Sequence, residues 1–120
     1  MLQLSDRGRF FMFRHATDMR KSFHGLAAIV TQHMHMNVLN GDIYIFISKR
    51  RNAVKLLRFE GDGFAIFYKH LERGTFELPV STGDSDTIPT TCDELTFILK
   101  GVALKRIKYR PRYSHSERNC

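Results

Sequence analysis

Apolar and polar positions fall into two rhythms along this chain, and the rhythms divide it into elements. Phe10 to Phe13 is a continuous apolar block between Arg9 and Arg14, the mark of a short strand. Met19, Phe23, Leu26, Ala27, Val30 and Met34 then recur at helical spacing. Thr17 or Asp18 stands where a side-chain oxygen can accept from the free amides of a first helical turn. Gly25 weakens that helix, and Asn40-Gly41 closes the segment with a turn signal.

The rhythm then shortens. "IYIFI", residues 43–47, is apolar on both faces, as a central strand is. "AVKLLRF", residues 53–59, is half polar. In "FAIFYKHL", Phe64, Ile66 and Tyr68 share one side, with Ala65, Phe67 and Lys69 on the other. "GTFELPV", residues 74–80, is a shorter candidate. The connections "KRRN", "EGDG" and "ERG" are short enough to join antiparallel neighbours. Residues 43–79 are therefore predicted to form a four-stranded antiparallel meander.

"STGDSDTIPTT" reads as a loop by composition. "TCDE", Thr91 to Glu94, fits a capping box, in which hydroxyl and carboxylate each satisfy the other's backbone amide. Leu95, Ile98, Leu99 and Val102 form the helical face behind it. The fold expected is one small α+β domain over residues 1–104. Its meander carries the first helix on one face, with the second packed nearby. The core is expected from strands 43–47 and 64–68 with Met19, Phe23, Leu26, Val30, Leu95, Ile98 and Leu99. Residues 105–120, opening on "KRIKYRPRYS", read as a flexible basic tail.

Composition narrows the class. A chain of 120 residues is one domain by length, and 42% apolar with 26% charged residues is an ordinary globular balance. No apolar run approaches the ~18 residues of a membrane helix, and the start "MLQLSDRGRFFMFRH" holds no signal-peptide core, so a cytoplasmic location is expected. Cys92 and Cys120 form no C-x-x-C and no disulfide framework.

Charge changes the picture most. The net charge is +7. Lys100, Lys105, Arg106, Lys108, Arg110, Arg112 and Arg118 face only Glu117 in the last stretch, so most of the excess sits in the tail. Such a field attracts polyanions, nucleic acid above all. A second cationic run, "FISKRRNAVKLLRF", holds Lys49, Arg50, Arg51, Lys55 and Arg58 without an acid.

At this point the residues resemble a known family. Asp18-Met19-Arg20-Lys21, Phe23, Gly25-Leu26, Lys49-Arg50-Arg51, Lys55 and Gly61-Asp62-Gly63, in that order and spacing, are similar to TnpB, the small accessory protein of the IS-sixty-six group of bacterial insertion sequences. That family is distinct from the long RNA-guided nuclease of the same name. The match is dense from Ala16 to Pro79 and weaker from Cys92 to Tyr113. Its members often carry an acid where His24 stands and a tryptophan near Phe59. The resemblance implies a role beside a separate transposase during movement of the element. It carries no established catalytic site.

Each motif has a plainer reading beside the functional one. Lys49, Arg50 and Arg51 either keep a hairpin tip soluble or reach into a nucleic-acid groove, where the planar Arg fork suits phosphate and guanine. Lys55 would extend that finger. In the tail, Lys105, Arg106, Lys108, Arg110 and Arg112 interleave with Tyr109 and Tyr113, a pattern that neutralises phosphates and stacks bases but carries little sequence information. Arg20 and Lys21 oppose the dipole of the first helix, which points either to an outside anion or to a salt bridge with Asp18. "EGDGF" lacks the ending of a phosphate loop and the spacing of a calcium loop, and reads as a tight turn.

No metal site, cofactor or small-molecule substrate is predicted. His33 and His35 stand two apart, which suits no helical ligand pair. Asp42, Asp62, Glu72, Glu77, Asp84 and Asp86 fall mostly at turns rather than in the converging set that metal-assisted strand transfer needs. The expected function is a non-catalytic accessory factor of transposition, with DNA near the element ends and the transposase as partners. The rival is an adaptor that bridges the transposase to another protein without touching DNA. A cryptic nuclease is a distant third.

Overall fold

The computed structural model describes residues 8–78 and 83–100. The tail, the predicted domain boundary at residue 104 and Cys120 lie outside the described residues. Strand β1 spans Phe10–Phe13, helix α1 Phe23–Gln32, β2 Ile43–Ile47, β3 Ala53–Phe59, β4 Phe64–His70, β5 Thr87–Thr90 and helix α2 Cys92–Lys100. The strands form one five-stranded sheet in the order β4-β3-β2-β1-β5.

The chain is α+β with two helices, but the sheet is mixed. β2, β3 and β4 are antiparallel neighbours, with Lys55 opposite Phe46 on one side and Tyr68 on the other. β1 lies parallel to β2, Phe10 opposite Ile43, and α1 is the crossover between them. Two parallel strands need such a long return, and this βαβ unit replaces the purely antiparallel meander expected. The segment 74–80 is not the fourth strand over its described part: Thr75 to Leu78 run without regular structure. Phe76 still enters the core at 2% exposure, and its amide donates to the Arg51 carbonyl at 2.7 Å. The missing strand comes instead from the stretch read as loop. Thr87–Thr90 pairs antiparallel with β1, placing Pro89 opposite Phe11 on an edge strand. A proline has no donor for a ladder, so an edge is where it fits.

The two helices cover opposite faces. On one, Met12, Ile43, Ile45, Ile47, Val54 and Leu56 pack with Phe76 and with Leu95 and Ile98 of α2. On the other, Phe13, Tyr44, Phe46 and Leu57 pack with Leu26, Ile29 and Val30 of α1. β2 is buried at all five positions because it lies between both cores. Its sequence, apolar on both faces, requires that place.

α1 begins later than its apolar spacing suggests. Ser22 is its N-cap residue, and Thr17 and Asp18 precede the helix. Thr17 donates its amide to Ile47, while Asp18 folds a turn in which its carboxylate accepts from the Arg20 amide at 2.9 Å. Phe23, placed in the expected core, stands 41% exposed. A Cβ on Gly25 would sit 3.2 Å from Cβ and Cγ of Lys21, so the glycine lets that side chain lie along the helix start. The helix ends at Gln32, leaving His33 as its C-cap residue and His35 beyond it. The capping box of α2 forms as read: Thr91 N donates to Glu94 Oε1 at 2.9 Å and Glu94 N to Thr91 Oγ1 at 3.0 Å.

Candidate nucleic-acid interface

The turn Ser48–Asn52 joins β2 to β3 and is held from within. The Ser48 hydroxyl accepts from the amides of Asn52 and Ala53 and donates to Asn52 Oδ1. The Arg51 amide donates to the Ser48 carbonyl at 2.9 Å. Arg51 takes φ of +59°, a left-handed conformation that costs an ordinary L-residue free energy. With its hydrogen bonds made by backbone and small polar groups, the turn leaves Lys49, Arg50 and Arg51 exposed.

The pairing pattern brings other basic side chains to the same end of the sheet. β1 and β2 are parallel, so Arg14 and His15 emerge there beside the turn. Thr17 binds Ile47, which holds the segment before α1 at that end as well. Lys55 lies on the α1 face of β3 and donates from Nζ to the carbonyl of Lys21 at 2.8 Å. β4 runs out there too, with His70 opposite Ala53 and Arg73 following.

Not every charge at this end is available. Arg20 binds Asp18 through Nε and Nη2, at 2.7 Å for the shorter ion pair. That pairing holds the Asp18 carboxyl down at about 2, the side-chain bond from Arg20 being the largest cause. The salt-bridge reading of Arg20 therefore describes the structure. His15 meets Asp86 at 2.6 Å, and Arg14 Nε donates to the Ser85 carbonyl. Arg58, in the same cationic run of sequence, lies toward the other end of β3, faces its other side and donates to the Gly41 carbonyl at 3.0 Å. Glu72, Glu77, Asp84 and Asp86 also lie toward this end. Lys21, Lys49, Arg50 and Arg51 carry no side-chain hydrogen bond or ion pair among the described residues. Lys105, Arg106, Lys108, Arg110 and Arg112 lie outside them.

Sequence reasoning missed Tyr68. Its spacing puts it in the core with Phe64 and Ile66, yet it is 51% exposed, with the Lys55 ammonium 5.1 Å from its ring centroid. The alternation in "FAIFYKHL" gives its face; only the reach of α1 over that face gives its exposure.

At the opposite end, a cleft of about 710 Å³ opens between β1, β5 and the start of α2. Within its lining, Arg9 is paired with Asp42 and Thr91 with Glu94. Among the described residues no three His, Cys, Asp or Glu side chains stand together as a metal site, and no helix is long and apolar enough to cross a membrane.

A family described as "IS66 Orf2 like protein" matches residues 8–109. Two proteins of Sinorhizobium fredii (strain NBRC 101917 / NGR234) are similar along nearly all of their length. One, "Uncharacterized protein y4hO", is 29% identical over 102 residues, covering 85% of this chain and 87% of its own. The other, "Uncharacterized protein y4jC", is 28% identical over 104 residues, covering 86% of each. No solved structure matches the chain.

Proposed function

The chain belongs to the IS66 Orf2-like family, and on that premise we propose that it is a non-catalytic accessory protein of DNA transposition that binds DNA. The observation that supports this most is the gathering of Lys21, Lys49, Arg50 and Arg51 at one end of the sheet, exposed and without a side-chain partner among the described residues. Exposed cations on a hydrogen-bonded turn can meet phosphates without first breaking an ion pair among the described residues, and arginines there can also fork onto guanine. Lys55 holds the start of α1 against the sheet and so fixes Lys21 relative to the turn. Arg20 is committed to Asp18 and contributes less. The basic tail adds a second, sequence-blind attraction. The transposase of the same element is the protein partner implied by this role.

Fluorescence anisotropy tests the reading. A labelled element-end duplex and a shuffled duplex are titrated with protein across a salt series. About four phosphate contacts at the sheet end alone make log affinity fall against log salt with a slope of about −3.6, and tail contacts steepen it further. Reversing charge at Arg50 and Arg51 should abolish most of it. A purified protein that binds neither duplex at low salt, yet captures the transposase through the same residues, would establish the adaptor reading instead.

A further inference from the structure

We propose that the open strip of sheet between β4 and the start of α1 takes single-stranded DNA, with Tyr68 as the ring on which a base stacks. This rests on the DNA-binding reading above and narrows its substrate.

Three large hydrophobic side chains stand exposed among the described residues: Phe23, Leu39 and Tyr68. An isolated exposed ring is ordinary on a protein surface. Tyr68 is not isolated. Lys55 and Tyr68 are cross-strand partners, so the register of β3 and β4 itself sets the ammonium against the ring. The same ammonium holds the Lys21 carbonyl, and Phe23 follows two residues later at the head of α1. α1 packs toward Phe64 and Ile66 of β4, which are partly buried, but leaves Tyr68 half open. β4 is an edge of the sheet, so no strand among the described residues covers Tyr68 from the outer side. The result is an exposed ring, Tyr68, against the Lys55 ammonium, which in turn reaches the start of α1 at Lys21, beside the cationic turn.

Duplex and single strand ask for different surfaces. A duplex hides its base faces by stacking, so cations on a turn satisfy its phosphates and an exposed ring gains nothing. A single strand presents phosphates and unstacked bases together, and cations interleaved with rings meet both. The strip has the second composition, and the turn alone has the first.

The full-length protein is titrated into a labelled single strand of about twelve nucleotides and, separately, into its duplex, at one low salt concentration. The single strand should bind more tightly. Tyr68→Ala and Tyr68→Leu should each weaken single-strand binding by about tenfold and leave duplex binding within about twofold. Tyr68→Phe, which keeps the ring, should retain wild-type affinity. Tyr68→Leu keeps apolar bulk on β4, and thermal melting confirms its fold. Equal losses on both DNAs, or no loss in a variant that melts like the wild type, overturn the proposal. Duplex binding without single-strand preference overturns it and leaves the DNA-binding reading standing. Failure to bind either DNA overturns both.

Discussion

At the scale of single residues, the charge on a side chain and its availability are separate properties. Arg20 and Arg50 are alike in sequence, but one is bound to Asp18 and the other projects from a turn. Asp18→Asn keeps an acceptor for the Arg20 amide and removes the charge, so Arg20 is released. The salt slope of DNA binding should steepen by about 0.9 for the added contact. The pair is also visible on its own. The carboxyl of Asp18 titrates at about 2 rather than 3.8. Because the folded value is lowered, whatever stability the pair adds is fully present above 3.8 and is lost as pH falls through about 2. Both groups are exposed, so that contribution is screened. Arg20→Ala should move the Asp18 midpoint up toward 3.8 in an NMR titration. Arg51 offers the converse test. Its left-handed φ of +59° suits glycine. Arg51→Gly should leave stability within about 0.5 kcal/mol while the salt slope becomes shallower by about 0.9. A loss of fold in that variant would show that the arginine serves the turn rather than an anion.

At the scale of elements, local signals succeeded where the physics is local. The capping box needs only Thr91 and Glu94 within one turn, and both bonds form. Thr91→Ala should cost about 1 kcal/mol in denaturant unfolding. It should leave DNA affinity unchanged, because the box lies at the far end of the sheet from the cationic turn. The Asn40-Gly41 and "EGDG" turns are equally local: Gly41 and Gly61 take φ of +87° and +95°. The segment around Phe76 is the contrary case. Its alternation suggests a strand, but in the structure one side chain plugs the α2-side core while its amide docks on the turn carrying Arg51. Phe76→Ala should cost about 3–5 kcal/mol. Hydrogen exchange of the turn amides should quicken with it, since Phe76 ties that turn to the core.

At the scale of the whole molecule, charge divides between the cationic end of the sheet and residues 105–120. Removing residues 105–120 deletes Lys105, Arg106, Lys108, Arg110 and Arg112 with Arg118. DNA affinity should fall and the salt slope flatten, while any preference for the true element end survives, because tail contacts to phosphate carry no sequence information. A truncated protein that lost the preference would move recognition into the tail. By itself the sequence determined what depends on neighbours along the chain. It specified β2 as a strand buried on both faces, the antiparallel run from β2 through β4, the α2 cap, the cationic turn and the family to which the chain belongs. The tertiary structure decided what depends on which elements meet. Strand order is set by how α1 returns the chain, so β1 becomes the parallel neighbour of β2 and Thr87–Thr90 finds an edge to pair with. Exposure is set by how far a helix reaches across a sheet, so Phe23 and Tyr68 stand open although their spacing marks them as core. Pairing is set by the turn before α1, so Arg20 is bound while Lys21 beside it has no partner among the described residues. Spacing along a chain records the face on which a residue stands; what covers that face is a contact between distant segments, and no local pattern encodes it.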